Sequence, residues 1–379
     1  MAEAAPGAAP GQVVAVKRIL IAGGGTGGHL YPGLAVAEAL KDQKPETEIM
    51  FVGTRRGIET RVVPGAGYPL KLMSVRGLPR SPSWGWVSFW FSLLKGLVEA
   101  WNLVRSWKPA VIVGTGGYAS VPTAWVGLVM RIPVVLLEQN RIPGLASRAI
   151  APWAECVCLN YEDSSDRFIR KGNLRTTGNP VRRQVAEGPR RSDESGFVKV
   201  LVFGGSRGAH QVNELLAGAL AQLPASLPVE FLVQTGTDDR EWVEERLRES
   251  GFGGSVQSYI DEMGEAYADA DLVVCRAGAT TLAEITARGL PSILVPYPHA
   301  TAGHQEANAG VLVKHGAAEM LNPKRATAGD LADVIRRLVE DRRERERMAA
   351  RAKAMGRTGA AAEVAEIVHS LAEGTVRKA

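Results

Sequence analysis

Lys17-Arg18-Ile19-Leu20-Ile21-Ala22 runs straight into Gly23-Gly24-Gly25-Thr26-Gly27-Gly28-His29, and a helical pattern follows from Pro32 to Leu40. Past the middle of the chain the device recurs. Val198-Lys199-Val200-Leu201-Val202-Phe203 runs into Gly204-Gly205-Ser206-Arg207-Gly208-Ala209, with a helical pattern from Gln211 to Leu220. Apolar runs of this kind suit strands buried on both faces of a parallel sheet. The glycine turn leaves backbone N–H groups free, and the next helix aims the positive end of its dipole at the same spot. Two such units predict an α/β protein of two Rossmann-like, doubly wound parallel-sheet domains facing a cleft. A ligand with negative charge is expected in that cleft, with amides from both turns closing on it.

Outward from these turns, strand-like and helix-like runs alternate throughout. Strands are expected at Ile19–Ala22, Ile49–Val52, Val111–Gly114, Val134–Leu137 and Cys156–Leu159 in the first half. In the second they are expected at Val200–Phe203, Phe231–Gln234, Ser255–Tyr259, Leu272–Cys275 and Ser292–Val295. The polar stretch from Arg182 to Gly196 has no apolar periodicity and reads as a linker. The expected plan is a first domain over 13–182, a linker over 183–196 and a second domain over 197–356. A last helix, within 357–375, is expected to cross back onto the first domain.

At 379 residues the chain has room for two full cores. Met1 to Gln12 is rich in Ala, Pro and Gly, with neither a basic start nor an apolar core, and is expected to be a disordered tail rather than a signal peptide. The three cysteines, Cys156, Cys158 and Cys275, are too few and too scattered for a disulfide framework or a zinc site. They suit core packing in a reducing cytoplasm. No run reaches the ~20 apolar residues of a membrane-spanning helix. Net charge is +5, but from Thr54 to Lys108 nine Lys or Arg face only Glu59 and Glu99. One segment of the first half therefore forms an electropositive face.

Gly23, Gly25 and Gly28 satisfy G-x-G-x-x-G between a strand and a helix, a pattern that dinucleotide enzymes also use. An NAD site wants an acid at the end of the second strand. Gly53-Thr54-Arg55-Arg56 stands there instead, which disfavours NAD and leaves NADP conceivable. A third turn, Gly114-Thr115-Gly116-Gly117-Tyr118-Ala119-Ser120, offers either a second anion site in this half or room for close packing.

A series of short motifs narrows the choice. In the first half these are Gly24-Gly25-Thr26-Gly27-Gly28-His29, Gly116-Gly117-Tyr118, Glu138-Gln139-Asn140 and Gly178-Asn179-Pro180-Val181-Arg182. In the second half they are Gly204 to Ala209, Tyr259-Ile260-Asp261-Glu262-Met263, Arg276 to Glu284, and His304-Gln305 with Asn308. In this order they resemble the bacterial peptidoglycan glycosyltransferases, two-domain nucleotide-sugar transferases of the GT-B fold. The resemblance implies transfer of N-acetylglucosamine (GlcNAc) from UDP-GlcNAc, with inversion, to the C4 hydroxyl of undecaprenyl-pyrophosphoryl-MurNAc-pentapeptide. Lipid I would thereby become lipid II. Leu137 departs from the pattern, because members often carry histidine before the Glu-Gln-Asn run.

By that resemblance the donor site takes in Ser206, Ile260, Ala279, Thr280, Thr281, Leu282, Ala283, Glu284 and Gln305. Thr26, Gly27, Gly28 and Asn140 complete the sugar and acceptor side, and Arg182 meets the charged part of the nucleotide sugar. Glu284 would hold the ribose hydroxyls, although Thr281-x-x-Glu284 is equally a capping-box pattern. Ile260 would offer its backbone to uracil, and Gln305 its amide to sugar hydroxyls. Negative charge grows on the leaving pyrophosphate. No Asp-x-Asp metal set is visible, and Asp238-Asp239 reads as a helix cap. No metal or other cofactor is therefore expected, because Ser206 with its turn and the Ala279-Thr280-Thr281 helix start can supply the stabilising field. His29 is the expected catalytic base, since a helix N-terminus disfavours the imidazolium and keeps the ring neutral.

Trp84, Trp86, Trp90, Phe91 and Leu94 crowd the basic segment at partly helical spacing. Aromatic anchors beside Lys and Arg suit an interfacial helix on the anionic cytoplasmic face of a membrane. Nucleic acid is disfavoured, because no known nucleic-acid module appears. Partners implied by the resemblance are the donor, the lipid-linked acceptor and other cell-wall synthesis proteins. Another UDP-sugar glycolipid transferase of the same fold, or a non-catalytic nucleotide-sugar-binding adaptor, would use the same turns.

Overall fold

The computed structural model describes residues 16–55, 57–75, 77, 85–188, 196–205 and 208–374. The expected tail at 1–12 and the middle of the expected linker lie outside them. Two parallel sheets carry the chain. The first joins β1 (Arg18–Gly23), β2 (Glu48–Thr54), β3 (Leu70–Met73), β4 (Val111–Gly116), β5 (Val134–Glu138), β6 (Cys156–Leu159) and β7 (Leu174–Arg175), in the order β3-β2-β1-β4-β5-β6-β7. The second joins β8 (Val198–Phe203), β9 (Val229–Gln234), β10 (Gly253–Gln257), β11 (Leu272–Cys275), β12 (Ser292–Leu294) and β13 (Ala318–Met320), in the order β10-β9-β8-β11-β12-β13. In each, the order reverses beside the first strand, between β1 and β4 and between β8 and β11. Open α/β sheets bind ligands at such switch points.

The helices of the first half are α1 (Gly27–Gln43), α2 (Glu59–Gly65), α3 (Gly85–Trp107), α4 (Ser120–Val129), α5 (Leu145–Ile150) and α6 (Arg183–Ala186). Those of the second are α7 (His210–Leu220), α8 (Arg240–Ser250), α9 (Met263–Asp269), α10 (Ala279–Arg288), α11 (His304–Lys314), α12 (Ala328–Glu340), α13 (Arg342–Met355) and α14 (Ala360–Ala372). Two sheets with helices on both faces make the expected doubly wound pair. The additional strands β3, β7 and β13 are short and lie outermost or next to an edge that carries Lys71, Arg175 or Glu319. Such strands lack the apolar run that marks a central one.

Ile19, Ile21, Phe51 and Val113 pack one face of the first sheet against Leu30, Leu34 and Leu40 of α1 and against Val364, Val368 and Leu371 of α14. Val364 and Val368 are fully buried, each worth about 1.5–3 kcal/mol before the entropy of ordering the helix is counted. The last helix thus rests on the first lobe. Lys44 pairs with Glu373, and Gln43 Nε2 donates to the Ala362 carbonyl at 3.0 Å. The chain passes between the lobes at 178–182 and again near 357, and these passages touch: Arg357 Nη1 donates to the Thr176 carbonyl at 2.8 Å. All three cysteines are buried and unbridged, with the Cys156 and Cys158 sulfurs 3.9 Å apart in the core.

Helix α1 starts inside the glycine turn, ahead of the expected Pro32, and keeps that proline within it. Pro32 has no N–H to give the carbonyl of Gly28, four residues back. That carbonyl instead accepts the Thr280 hydroxyl of the second lobe at 3.0 Å. Tyr31 and Tyr259 hydroxyls meet at 3.1 Å, and Asn308 Nδ2 donates to Asn140 Oδ1 at 3.1 Å. The lobes therefore face each other across a narrow cleft.

Candidate functional site

The second turn and α10 bound the cleft on one side. Gly208 has φ +74°, and a Cβ there would sit 2.0 Å from the Thr235 carbonyl oxygen, so only glycine lets the turn lie on the end of β9. Helix α10 is capped by Gly278, and its first internal bond runs from Leu282 N–H to the Gly278 carbonyl at 3.0 Å. The amides of Ala279, Thr280 and Thr281 precede that bond and have no intrahelical acceptor. The ends of β8 and β11 thus present N–H groups at one switch point.

A cavity of about 960 Å³ opens there, at the upper end of the range for small-molecule sites. It is lined from the first lobe by Thr26, Gly27, Gly28 and Tyr31, from the crossing by Arg182, and from the second lobe by Gly205, Ile260, Thr280, Thr281, Glu284 and Gln305 among others. Nine expected site residues therefore share one space. Ser206 and Trp84 lie outside the described residues.

Glu284 is not part of a capping box. Thr281 is the third residue of α10, the cap is Gly278, and the Glu284 carboxylate accepts the Tyr267 hydroxyl at 3.0 Å. Burial raises its pKa, while the charge of Arg182 and the Tyr267 hydrogen bond pull the other way. Arg182 lies half-buried over the Tyr31 ring, 4.2 Å from its centroid, instead of extending from the crossing into solvent. The Ile260 N–H is held by Gln234 Oε1 at 2.9 Å, and Gln305 Oε1 accepts the Tyr297 N–H at 2.8 Å.

Three expectations need correction. Leu282 and Ala283 turn away from the cavity: Leu282 is fully buried, its N–H is spent on Gly278, and both residues line the hinge-side cavity beside Met355. Helical spacing puts Gly278, Thr281 and Glu284 on one face of α10 and these two on another. Asp239 precedes α8 without capping it. Its carboxylate instead takes Asn213 Nδ2 at 2.7 Å and Trp242 Nε1 at 3.0 Å, and pairs with His210 Nδ1 at 2.9 Å. In the first glycine turn, finally, one amide is already taken: Gly25 N–H donates to Glu59 Oε2 at 2.8 Å, so a carboxylate of the chain itself stands at part of the place expected for a ligand anion.

His29 points to the other side of α1, away from the large cavity and toward the third turn. A Cβ on Gly116 would stand 2.6 Å from its ring, and one on Gly117 the same distance from the Gly24 oxygen. These glycines let the first and third turns touch, the close packing expected as one reading of the third turn. Burial is the main cause that lowers the His29 pKa; the Gly24 carbonyl and Glu59 raise it, and His304 across the cleft lowers it. The shift runs in the expected direction, with burial as its first cause. Asn140 lies outside the cavity lining, tied to Asn308 and to Glu138.

Tyr31, Tyr259, Gln234 and His210 also line the cavity. Tyr259 opens a motif quoted above without a role of its own, Tyr31 and His210 lie beside motifs, and Gln234 ends an expected strand. His210 begins α7, and its bond to Asp239 raises its pKa. Among the described residues, no three His, Cys, Asp or Glu side chains come together as metal ligands.

Away from the cleft, Trp90, Phe91, Leu94 and Val98 of α3 are more than half exposed. Val98 and Trp101, with Leu93 and Leu97, line an apolar groove of about 550 Å³ completed by Trp125 and Val129 of α4. No helix of the described residues is long and apolar enough to cross a membrane.

Comparison with known proteins gives concordant results. Residues 19–159 match the model of the glycosyltransferase family 28 N-terminal domain, and residues 199–364 that of the family 28 C-terminal domain. A Moorella thermoacetica protein named UDP-N-acetylglucosamine–N-acetylmuramyl-(pentapeptide) pyrophosphoryl-undecaprenol N-acetylglucosamine transferase is 40% identical over 363 residues, covering 93% of this chain and 98% of its own. A Syntrophotalea carbinolica protein of the same name is 42% identical over 356 residues, covering 93% and 99%. The crystal structure of Acinetobacter baumannii MurG superposes with a TM-score of 0.75 at 28% identity, covering 93% of this chain and 99% of that one.

Proposed function

The chain belongs to glycosyltransferase family 28, and from that premise we infer that it transfers GlcNAc from UDP-GlcNAc to undecaprenyl-pyrophosphoryl-MurNAc-pentapeptide, converting lipid I to lipid II. The observation that carries this reading is the division of one cleft between two chemistries. A turn and a helix start with free amides lie on one side of α1, and a neutral histidine lies on the other.

The donor's diphosphate belongs on the second turn and the start of α10, with Arg182 beside it. Uracil lies at Ile260, the ribose hydroxyls on Glu284 and the sugar hydroxyls at Gln305. Thr26, Gly27 and Gly28 close over the sugar from the first lobe, and the acceptor enters past Asn140 and His29. The C4 oxygen attacks C1 of GlcNAc from the face opposite the leaving group, and its proton passes to His29. The C1–O bond breaks with its electron pair going to UDP, and the configuration inverts. Fixed amides stabilise the charge that grows on the diphosphate at no cost in reorganisation.

Incubation with labelled UDP-GlcNAc and a short-chain lipid I analogue tests the reaction. UDP and a β-linked disaccharide are the expected products, formed equally fast in excess EDTA. Absence of the disaccharide overturns the assignment; loss in EDTA restored by magnesium overturns the metal-free mechanism.

The α3–α4 apolar surface supports peripheral attachment to the cytoplasmic face of an anionic membrane, with Lys95 among the exposed aromatics. Changing Trp90, Phe91 and Leu94 together to serine should weaken binding to anionic vesicles by roughly tenfold or more. Turnover of a water-soluble acceptor analogue should stay unchanged. Flotation in low and high salt reads both the apolar and the charge contribution.

A further inference from the structure

Glu59 is a fully buried carboxylate that the transfer chemistry above does not use. It opens α2, yet it points into the first lobe's glycine turn. Oε2 accepts the Gly25 N–H at 2.8 Å, and Oε1 accepts the Thr54 N–H at 2.7 Å and the Thr54 hydroxyl at 2.9 Å. A Cβ on Gly24, Gly53 or Gly57 would come within 2.5 Å or less of its side chain, so three glycines leave room for this one group. Turn amides of this kind attract phosphate in other proteins. Here the chain supplies the anion itself.

The carboxylate acts on His29 through the turn it pins. Thr26 of that turn keeps its hydroxyl 3.4 Å from His29 Nδ1, and the Gly24 carbonyl abuts Gly117. The orientation of the imidazole thus depends on where the Gly23–Thr26 turn is pinned, and the pin is Glu59. We propose that Glu59 is a positioning residue for the transfer reaction: it takes the Gly25 amide of the first turn, holds Thr26 in place beside His29 Nδ1, and so sets which nitrogen of His29 faces the acceptor hydroxyl. A corollary is that the Gly25 amide takes no substrate phosphate. The inference rests on His29 being the base.

Glu59→Gln tests it. The amide oxygen can still serve Thr54, but its NH2 then opposes the Gly25 N–H. Turnover should fall roughly 10- to 100-fold, as expected for a displaced catalytic group, with donor KM little changed. Two ionisable groups act on His29: Glu59, which favours the protonated ring, and His304, which disfavours it. The packed Gly116 turn adds none. Removing the Glu59 charge should therefore move the acid limb of kcat to lower pH, and NMR titration of the His29 imidazole should move the same way. Glu59→Asp keeps the charge on a shorter arm, so its turnover should fall with the limb in place; it also serves if the glutamine variant does not fold.

Unchanged turnover in either variant overturns the proposal. So does a His29 titration in Glu59→Gln that matches wild type, which would leave Glu59 a purely structural strut. Full turnover in His29→Ala would overturn the base assignment instead, and the NMR titration separates the two failures because it needs no activity.

Discussion

His29→Ala should lower turnover by roughly 10²- to 10⁴-fold, the usual contribution of a general base. Donor KM should change little, because the His29 ring faces the Gly116 turn and not the cavity proposed for the nucleotide sugar. That division between kcat and KM is the diagnostic measurement, since a lost ground-state contact would raise KM instead. The pH profile of the wild type adds a second check. Burial holds the ring's pKa below its ordinary value of 6.5. The neutral, proton-accepting form therefore persists to lower pH than in a solvated histidine, and kcat should fall along its acid limb only below that value. A loss confined to thermal stability, with kcat intact, would return His29 to a packing role.

Glu284→Gln should have the next largest effect, and on the other kinetic constant. A carboxylate accepting hydroxyl groups in a buried site is worth about 1.5–3 kcal/mol per hydrogen bond, so donor KM should rise roughly 10- to 100-fold. The amide oxygen can still accept the Tyr267 hydroxyl, so the fold should be nearly as stable as before. Calorimetric titration with UDP-GlcNAc separates the two contributions. Unchanged donor affinity would leave Glu284 with only its structural partner, Tyr267.

What could be read before the structure follows from which forces are local. Val200-Leu201-Val202-Phe203 before a glycine turn announces a central parallel strand, because both faces of that strand are buried and no residue in it needs to be polar. β13, only Ala318–Met320, announces nothing, since an edge strand three residues long leaves no apolar run. Thr26, Gly27, Gly28, Arg182, Ile260, Thr280, Thr281, Glu284 and Gln305 converge because each lies at or near the end of a strand or a lobe crossing. Leu282 and Ala283 fall out of that set through helix geometry, which a motif written as a string conceals. The carboxylate in the first turn was the least legible feature. Glu59 follows Thr54 by five residues, and nothing in its spacing separates a carboxylate that enters the sheet end from one that faces solvent. The same blindness applies to Tyr31 and Tyr259, which meet only because two lobes close.

The proline in α1 carries a further consequence. At the Gly28 oxygen, the proline leaves the helix's own acceptor without its amide, and the Thr280 hydroxyl of the other lobe takes it up. The imino ring thus works as a reserved vacancy: a gap in the first lobe's own ladder is the berth at which the second lobe comes to rest.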